Sequence, residues 1–206
     1  MTIIAAMRED TNSILIAADS EYEESGQIRL GGGARKLKRH PTGMLAWAIS
    51  GNTTLGEIDF CEWIQAYSWP PPTWRIFERD AITKLSYLIG EQRKLVELSR
   101  AQPNPAHDAA ECLLVGWLGD LPEIYAFGDA GQVQSYLQDG FCAIGKGNID
   151  AWVSYLTLRD FGGITQLTKL QTIMNVITHT ISGCGGEYYI WRVKKDIIEK
   201  GLEKSE

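Results

Sequence analysis

The second residue of the chain, Thr2, carries a hydroxyl that becomes chemically useful if Met1 is removed. A threonine hydroxyl alone is a weak nucleophile, but the exposed α-amine of the same residue, with a pKa of about 7.7–8.0, can take up its proton near neutral pH. An N-terminal threonine is one of the recurring nucleophile–base arrangements in hydrolases. Thr2 is therefore a candidate nucleophile that supplies its own general base. Because any chain can carry threonine at its second position, the hypothesis depends on the charged residues near it.

Two charged residues are predicted to come close to Thr2. The apolar runs Thr2–Met7 and Ile14–Ala18 flank a short polar bridge, which predicts a β-hairpin. Asp19 directly follows the second run, so the hairpin returns it toward the start of the chain. Lys36 lies in the next strand-like segment, where its ammonium would favour the deprotonated hydroxyl and Asp19 could pair with it. The alternatives are that Asp19 is a turn residue and that Lys36 belongs to a solvated basic strand.

The remaining apolar spacing predicts strands in blocks and helices in pairs. Further strands are predicted at 35–39, 44–49, 112–118, 123–127, 141–144 and 187–193, and helices at 55–67, 76–98, 148–161, 164–181 and 194–203. This order favours antiparallel sheets with helices layered on them over an alternating β-α-β parallel sheet. No internal repeat or low-complexity linker interrupts the pattern, so a single domain spanning residues 1–206 is predicted.

The composition limits the expected partners and compartment. The 206 residues include 20 Lys and Arg against 26 Asp and Glu, a net charge of −6, which argues against a nucleic-acid-binding protein. Apolar runs are broken within a few residues by charge or glycine, so no membrane segment is predicted. Four widely spaced cysteines without a Cys-x-x-Cys pair argue against structural zinc. With no secretory leader evident, we expect a cytoplasmic protein with reduced thiols, and no metal or organic cofactor is needed.

Six short segments are informative as an ordered set. They are Thr2-Ile3-Ile4-Ala5-Ala6, Ile16-Ala17-Ala18-Asp19-Ser20, Gly33-Ala34-Arg35-Lys36-Leu37-Lys38-Arg39, Ser50-Gly51-Asn52-Thr53-Thr54, Ala143-Ile144-Gly145-Lys146-Gly147 and Gly185-Gly186-Glu187-Tyr188-Tyr189-Ile190. Together they resemble the proteasome β-subunit family, and within it the bacterial HslV-like peptidases and bacterial proteasome homologues are the nearest match. The resemblance runs through nearly the whole chain.

The resemblance implies an α+β fold, the four-layer α-β-β-α sandwich of the N-terminal nucleophile hydrolases. It implies a threonine-type endopeptidase that forms homo-oligomeric stacked rings and cleaves peptides or unfolded proteins in an inner chamber. It leaves open whether an ATP-dependent unfoldase docks on the rings. Residue by residue, it implies Thr2 as the nucleophile, Asp19 as the orienting acid, Lys36 as the lysine beside the nucleophile, and Gly51 as the backbone N–H donor to the oxyanion.

Three features depart from the family pattern. The first is Met1, because a retained Met1 would turn the Thr2 amine into an amide that cannot act as a base, and an alternative register would place Met1 itself at the nucleophile position; the register with Thr2 as the nucleophile is preferred. Lys146 stands where the family usually has the serine of a Gly-Ser-Gly segment, which hydrogen-bonds near the terminal amine. A lysine there could be a second cation that lowers the pKa of the amine, or it could mark a subunit that has lost activity. Ser182 lies in the region of the family's late aspartate and serine, as a substitute polar partner. The alternative to an enzyme is therefore a catalytically silent ring subunit that acts as a scaffold or gate.

Overall fold

The computed structural model describes residues 2–24, 27–30, 36–51, 56–99, 110–128, 132–195 and 198–200. The strands in these ranges are β1 (Ile3–Arg8), β2 (Ser13–Asp19), β3 (Glu21–Glu24), β4 (Gln27–Leu30), β5 (Lys38–Arg39), β6 (Leu45–Gly51), β7 (Ala110–Leu118), β8 (Leu121–Phe127), β9 (Val133–Ser135), β10 (Phe141–Gly145), β11 (Tyr188–Lys194) and β12 (Ile198–Lys200). The helices are α1 (Gly56–Ala66), α2 (Trp74–Ser99), α3 (Asn148–Arg159) and α4 (Gln166–Thr180). Within the described ranges, none of these helices has the length and apolar character needed to cross a bilayer.

The strands form two five-stranded antiparallel sheets and a separate two-stranded pair. The first sheet has the order β10-β1-β2-β11-β12, and the second has the order β5-β6-β7-β8-β9. Strands β3 and β4 pair only with each other in the described part of the chain. Strands β1 and β2 lie in the interior of the first sheet and are buried almost throughout, which explains why both read as nearly continuous apolar runs.

Three hydrophobic clusters pack these elements together. The first combines the first sheet with α3 and α4, the second combines residues of both sheets, and the third combines the second sheet with α1 and α2. Along β1, Ile3, Ala5 and Met7 belong to the first cluster, whereas Ile4 and Ala6 belong to the second. This period of two follows from the alternation of side chains along a strand. Both faces of β1 are therefore packed, and the start of the chain is held by a rigid strand.

Most of the elements predicted from apolar spacing are confirmed. The hairpin of β1 and β2 forms as expected, and the strands predicted at 35–39 and 44–49 are present as β5, which begins at Lys38, and β6, which pairs with it antiparallel. The first predicted helix ends at Ala66, before the proline run at 70–72. The strands β3, β4 and β9 were not predicted. The residue types at 31–33 predict a glycine turn and those at 101–108 a proline-containing loop, and both segments lie outside the described residues.

The predicted C-terminal helix at 194–203 is wrong. Strand β11 continues to Lys194, and β12 pairs with it antiparallel, with Val193 opposite Ile198. The charges in this segment fit a solvated helix, but without β12 the strand β11 would have β2 on one side and an unpaired edge on the other. Backbone groups at an open edge favour a further strand, so tertiary context overrides the local pattern.

Candidate active site

Thr2 is held at the end of the first sheet, directly before β1. Its backbone carbonyl accepts a hydrogen bond from the backbone N–H of Lys146 at 3.0 Å. This bond continues the pairing of β1 with β10, in which Ile3 lies opposite Gly145. Thr2 is 8 % exposed. Its backbone is therefore fixed by the sheet, although the residue lies outside the strand.

The ammonium of Lys36 joins the hydroxyl of Thr2 to the carboxylate of Asp19. Lys36 Nζ lies 2.7 Å from Thr2 Oγ1 and 2.7 Å from Asp19 Oδ1. The side chains of Lys36 and Asp19 are only 9 % and 0 % exposed. Solvent screens a buried charge far less than an exposed one, so this ammonium acts strongly on the hydroxyl that it contacts. A cation at this distance favours the alkoxide form of Thr2 over the hydroxyl form.

The Asp19 carboxylate accepts hydrogen bonds from three separate segments of the chain, beside the Thr2 hydroxyl. Oδ1 accepts the backbone N–H of Ile3 at 3.1 Å in addition to Lys36, and Oδ2 accepts the N–H of Gly185 at 3.3 Å. Burial raises the pKa of the Asp19 carboxyl above its ordinary value, while the Lys36 ammonium and the two N–H groups oppose that shift. Asp19 thus orients Lys36 and anchors β1 through the same side chain.

Gly145 passes the backbone of Thr2 at very close range. Its φ is +89°, and a Cβ at this position would lie 2.1 Å from the Thr2 carbonyl oxygen and 2.8 Å from Ser50 Oγ. Glycine alone tolerates both this backbone conformation and this distance. Ser50 therefore borders the Thr2 backbone. Gly51, the predicted oxyanion donor, follows Ser50 at the end of β6 and pairs with Ala110.

Lys146 and Ser182 contact each other near the same point. The Lys146 ammonium donates a hydrogen bond to the backbone carbonyl of Ser182 at 2.7 Å, and both residues are exposed. Lys146 contacts Thr2 through its backbone N–H, which donates to the Thr2 carbonyl. The lysine side chain thus ties the turn after β10 to the turn after α4. The predicted effects of Lys146 and Ser182 on the terminal amine stay predictions, as do the catalytic roles of Thr2, Asp19, Lys36 and Gly51.

Two residues near Thr2 escaped the sequence-based predictions. Glu111 Oε2 accepts the backbone N–H of Gly145 at 2.8 Å. Cys184 is 2 % exposed, and burial raises the pKa of its thiol to about 11, with the charge of Asp19 adding to the shift and Lys36 opposing it. Such a thiol stays protonated near neutral pH and is a poor nucleophile. Glu111 was detectable as a lone charge at the start of an apolar run, whereas nothing local distinguishes Cys184.

No group of three or more His, Cys, Asp or Glu side chains in the described ranges is arranged to hold a metal ion. Among the described residues, the Lys36 ammonium and the Asp19 carboxylate are in direct contact beside Thr2, and the Glu111 carboxylate lies beyond Gly145. This arrangement suits polar chemistry at the Thr2 hydroxyl, in which a nearby cation stabilises developing negative charge.

Comparison with known proteins identifies the fold. No family model and no curated protein matches the sequence. The eukaryotic HslV from Trypanosoma brucei matches with a TM-score of 0.65 and 18 % identity, over 93 % of this chain and 99 % of that one. Anbu, the ancestral beta-subunit, from Yersinia bercovieri matches with a TM-score of 0.71 and 13 % identity, over 96 % and 86 %. A mutant Anbu from Hyphomicrobium sp. strain MC1 matches with a TM-score of 0.71 and 12 % identity, over 100 % and 86 %. The chain therefore has the proteasome-like fold that these structures share.

Proposed function

We propose that this protein is an N-terminal threonine endopeptidase, with Thr2 as the nucleophile after removal of Met1. The observation that carries the proposal is the position of the buried Lys36 ammonium, 2.7 Å from both the Thr2 hydroxyl and the Asp19 carboxylate. An ion pair of this kind is costly to bury, so its direct contact with the hydroxyl of the second residue favours a chemical role. The fold shared with HslV and Anbu supports the same proposal.

The first half of the reaction forms an acyl-enzyme. The free α-amine of Thr2 takes the proton of Oγ1 while Oγ1 attacks the peptide carbonyl, and the Lys36 ammonium stabilises the developing alkoxide. The backbone N–H of Gly51 donates to the oxyanion of the tetrahedral intermediate. The protonated amine then gives its proton to the leaving nitrogen as the C–N bond breaks. An ester between Thr2 Oγ1 and the acyl half of the substrate remains.

The second half restores the enzyme with one water molecule. The α-amine takes a proton from water as the hydroxide attacks the ester carbonyl, and the Gly51 N–H binds the second oxyanion. Collapse of this intermediate breaks the bond to Oγ1, which regains its proton. Asp19 takes no part in proton transfer and holds the Lys36 ammonium in place. The substrates are peptides or unfolded proteins, and the proposed compartment is the cytoplasm.

The proposal extends to a four-layer α-β-β-α sandwich and to assembly of many copies. The three hydrophobic clusters, each between a different pair of layers, support the sandwich. Helix α3 supports assembly because Ile149, Val153 and Leu156 form an apolar stripe, each more than half exposed.

The chemistry is tested by intact mass and by a covalent trap. We expect the purified chain to lack Met1 and to gain the mass of one peptide epoxyketone, because the hydroxyl and the amine of an N-terminal threonine can both attack this electrophile. Thr2→Ala, also processed at Met1, is the matched control and should gain no mass. A processed wild-type chain that stays unlabelled at saturating inhibitor would contradict the proposal.

The silent ring subunit is the second candidate, and Lys146 at the position of the family serine favours it. In that case the chain retains Met1, so the residue at the second position has an amide in place of the amine and lacks a base. The same mass measurement separates the two candidates, since a full-length, unlabelled chain that still assembles is expected only of a scaffold or gate.

Assembly is tested by the particle mass in solution. We expect light scattering to give a mass of many copies for the wild type and a lower mass for Val153→Asp, which introduces a charge at the centre of the α3 stripe. Leu121→Asp is the control, because Leu121 is equally exposed but lies on β8 in the other sheet. A monomeric wild type would overturn the ring, and a Val153→Asp particle of unchanged mass would exclude this stripe as its interface.

A further inference from the structure

The backbone N–H of Gly145 has a carboxylate as its partner. Strand β10 lies at the edge of the described first sheet, with β1 on its inner side. The N–H of Lys146 donates inward to the Thr2 carbonyl, so the N–H of the preceding residue, Gly145, points away from β1. At 2.8 Å it meets Glu111 Oε2. An N–H on the outer side of this edge strand is thus bound by a charged acceptor, which makes a stronger hydrogen bond than a neutral one.

Glu111 reaches Gly145 from the other sheet. It lies on β7, where it pairs with Ser50 of β6. The contact therefore joins the two sheets beside Thr2. Gly145 is enclosed by the Thr2 carbonyl, the Ser50 side chain and the Glu111 carboxylate, and a side chain at this position would overlap the first two. Little space remains for Gly145 to move as long as Glu111 holds its N–H.

We propose that Glu111 is a positioning residue for the Thr2 nucleophile. By binding the Gly145 N–H, it fixes the peptide that links Ile144 to Gly145. Through Gly145 it restrains the next peptide, whose N–H at Lys146 binds the Thr2 carbonyl. Two carboxylates thus hold the start of the chain, since Asp19 binds the N–H of Ile3 on the β2 side and Glu111 acts on the β10 side. The inference rests on the proposed function of Thr2. A nucleophile displaced by 1 Å can lose about 100-fold in rate, so a second hydrogen bond that restrains the position of Thr2 is expected to matter for turnover.

Turnover of a fluorogenic peptide by two variants tests this role. We expect Glu111→Ala to lower kcat by roughly 10- to 100-fold with little change in KM, because substrate contacts remain while the attacking atom is displaced. Glu111→Gln should keep kcat within about 3-fold of the wild type, because its amide oxygen can accept the same hydrogen bond. A merely stabilising contact would lower the melting temperature without changing kcat at a temperature where every variant is folded.

Glu123→Ala is the matched control. Glu123 lies on the neighbouring strand β8, and its carboxylate accepts hydrogen bonds from the Ile124 N–H and from the Ser135 hydroxyl, so this variant also loses carboxylate hydrogen bonds. Its kcat should equal that of the wild type. A Glu111→Ala variant with wild-type kcat would overturn the inference, and so would Glu111→Gln as impaired as Glu111→Ala.

Amide hydrogen exchange separates this inference from the proposed function. Glu111→Ala should speed exchange at the Lys146 amide, and Glu111→Gln should not, whether or not the protein turns over peptide. If Thr2→Ala hydrolyses peptide like the wild type, the proposed nucleophile is wrong, and exchange still decides whether Glu111 holds the turn. If hydrolysis depends on Thr2 but Glu111→Ala protects the Lys146 amide as well as the wild type does, the positioning role is wrong and the function stands.

Discussion

Thr2→Ala is expected to reduce peptide hydrolysis by roughly 10⁴-fold or more, because the variant has lost the atom that forms the acyl-enzyme. The change removes a side chain that contacts Lys36 at 2.7 Å but leaves the carbonyl of residue 2 bound by Lys146. The fold should therefore persist. Initial rates with a fluorogenic peptide measure the loss, and intact mass verifies that Met1 has been removed from both proteins.

Thr2→Ser is the companion variant, because it keeps a hydroxyl and an α-amine on the same residue. We expect it to hydrolyse the peptide at a measurable rate and to accept the covalent trap. If Thr2→Ser is as inactive as Thr2→Ala, a hydroxyl and an α-amine on residue 2 do not suffice for hydrolysis, and the methyl group of Thr2 is required as well. If Thr2→Ala is as active as the wild type, the nucleophile lies elsewhere.

The second large effect is expected at Lys36, where activity and stability should respond differently to the removal of charge. Lys36→Met leaves the Asp19 carboxylate buried without the ammonium, and breaking a buried ion pair in this way costs about 3–5 kcal/mol of unfolding free energy. Asp19→Asn leaves the ammonium buried beside a neutral amide and should also destabilise the fold. Lys36→Met/Asp19→Asn removes both charges, so it should be more stable than either single variant.

Activity should not follow this recovery of stability. We expect Lys36→Met and the double variant both to lose about 10³-fold in kcat, since neither has a cation beside Oγ1 to stabilise the alkoxide. Urea unfolding and peptide hydrolysis on the same four proteins measure the two responses. A double variant that regains wild-type turnover would assign Lys36 a structural role only, and a Lys36→Met variant with full activity would remove it from the mechanism.

The local part of the site could be predicted from residue order. Apolar runs on either side of a short polar bridge specify a tight hairpin, and the side-chain period of two determines which residue of β2 returns to the start of β1. The Ile3 N–H donates to the Asp19 carboxylate as this pairing allows. The hairpin of β5 and β6 was predictable for the same reason. The contact between Lys36 and Thr2 was expected from the family resemblance and from charge chemistry, and its distance came from the structure.

No pattern in the sequence predicted the contacts of this site that join segments far apart in the chain. Glu111 meets Gly145 across 34 positions of sequence and from a different sheet, so the contact exists only because the two sheets pack face to face. Lys146 was considered for its side chain, yet its backbone N–H is the group that binds Thr2. Backbone hydrogen bonds depend on strand pairing and carry no residue-type signature, which is why side-chain reasoning missed this one.

Residue types and their order were enough to predict an acidic α+β chain whose N-terminal hairpin brings an aspartate back toward a threonine at the second position, because neighbouring strands pair through short turns and local patterns. Three features became visible only in the folded molecule: a largely buried lysine side chain bridges these two residues at hydrogen-bond distance, Glu111 binds the Gly145 N–H beside them, and the C-terminal segment forms a strand. Each of these outcomes depends on how separate sheets and helices pack, and the free energy of packing between distant segments is not encoded in any single segment.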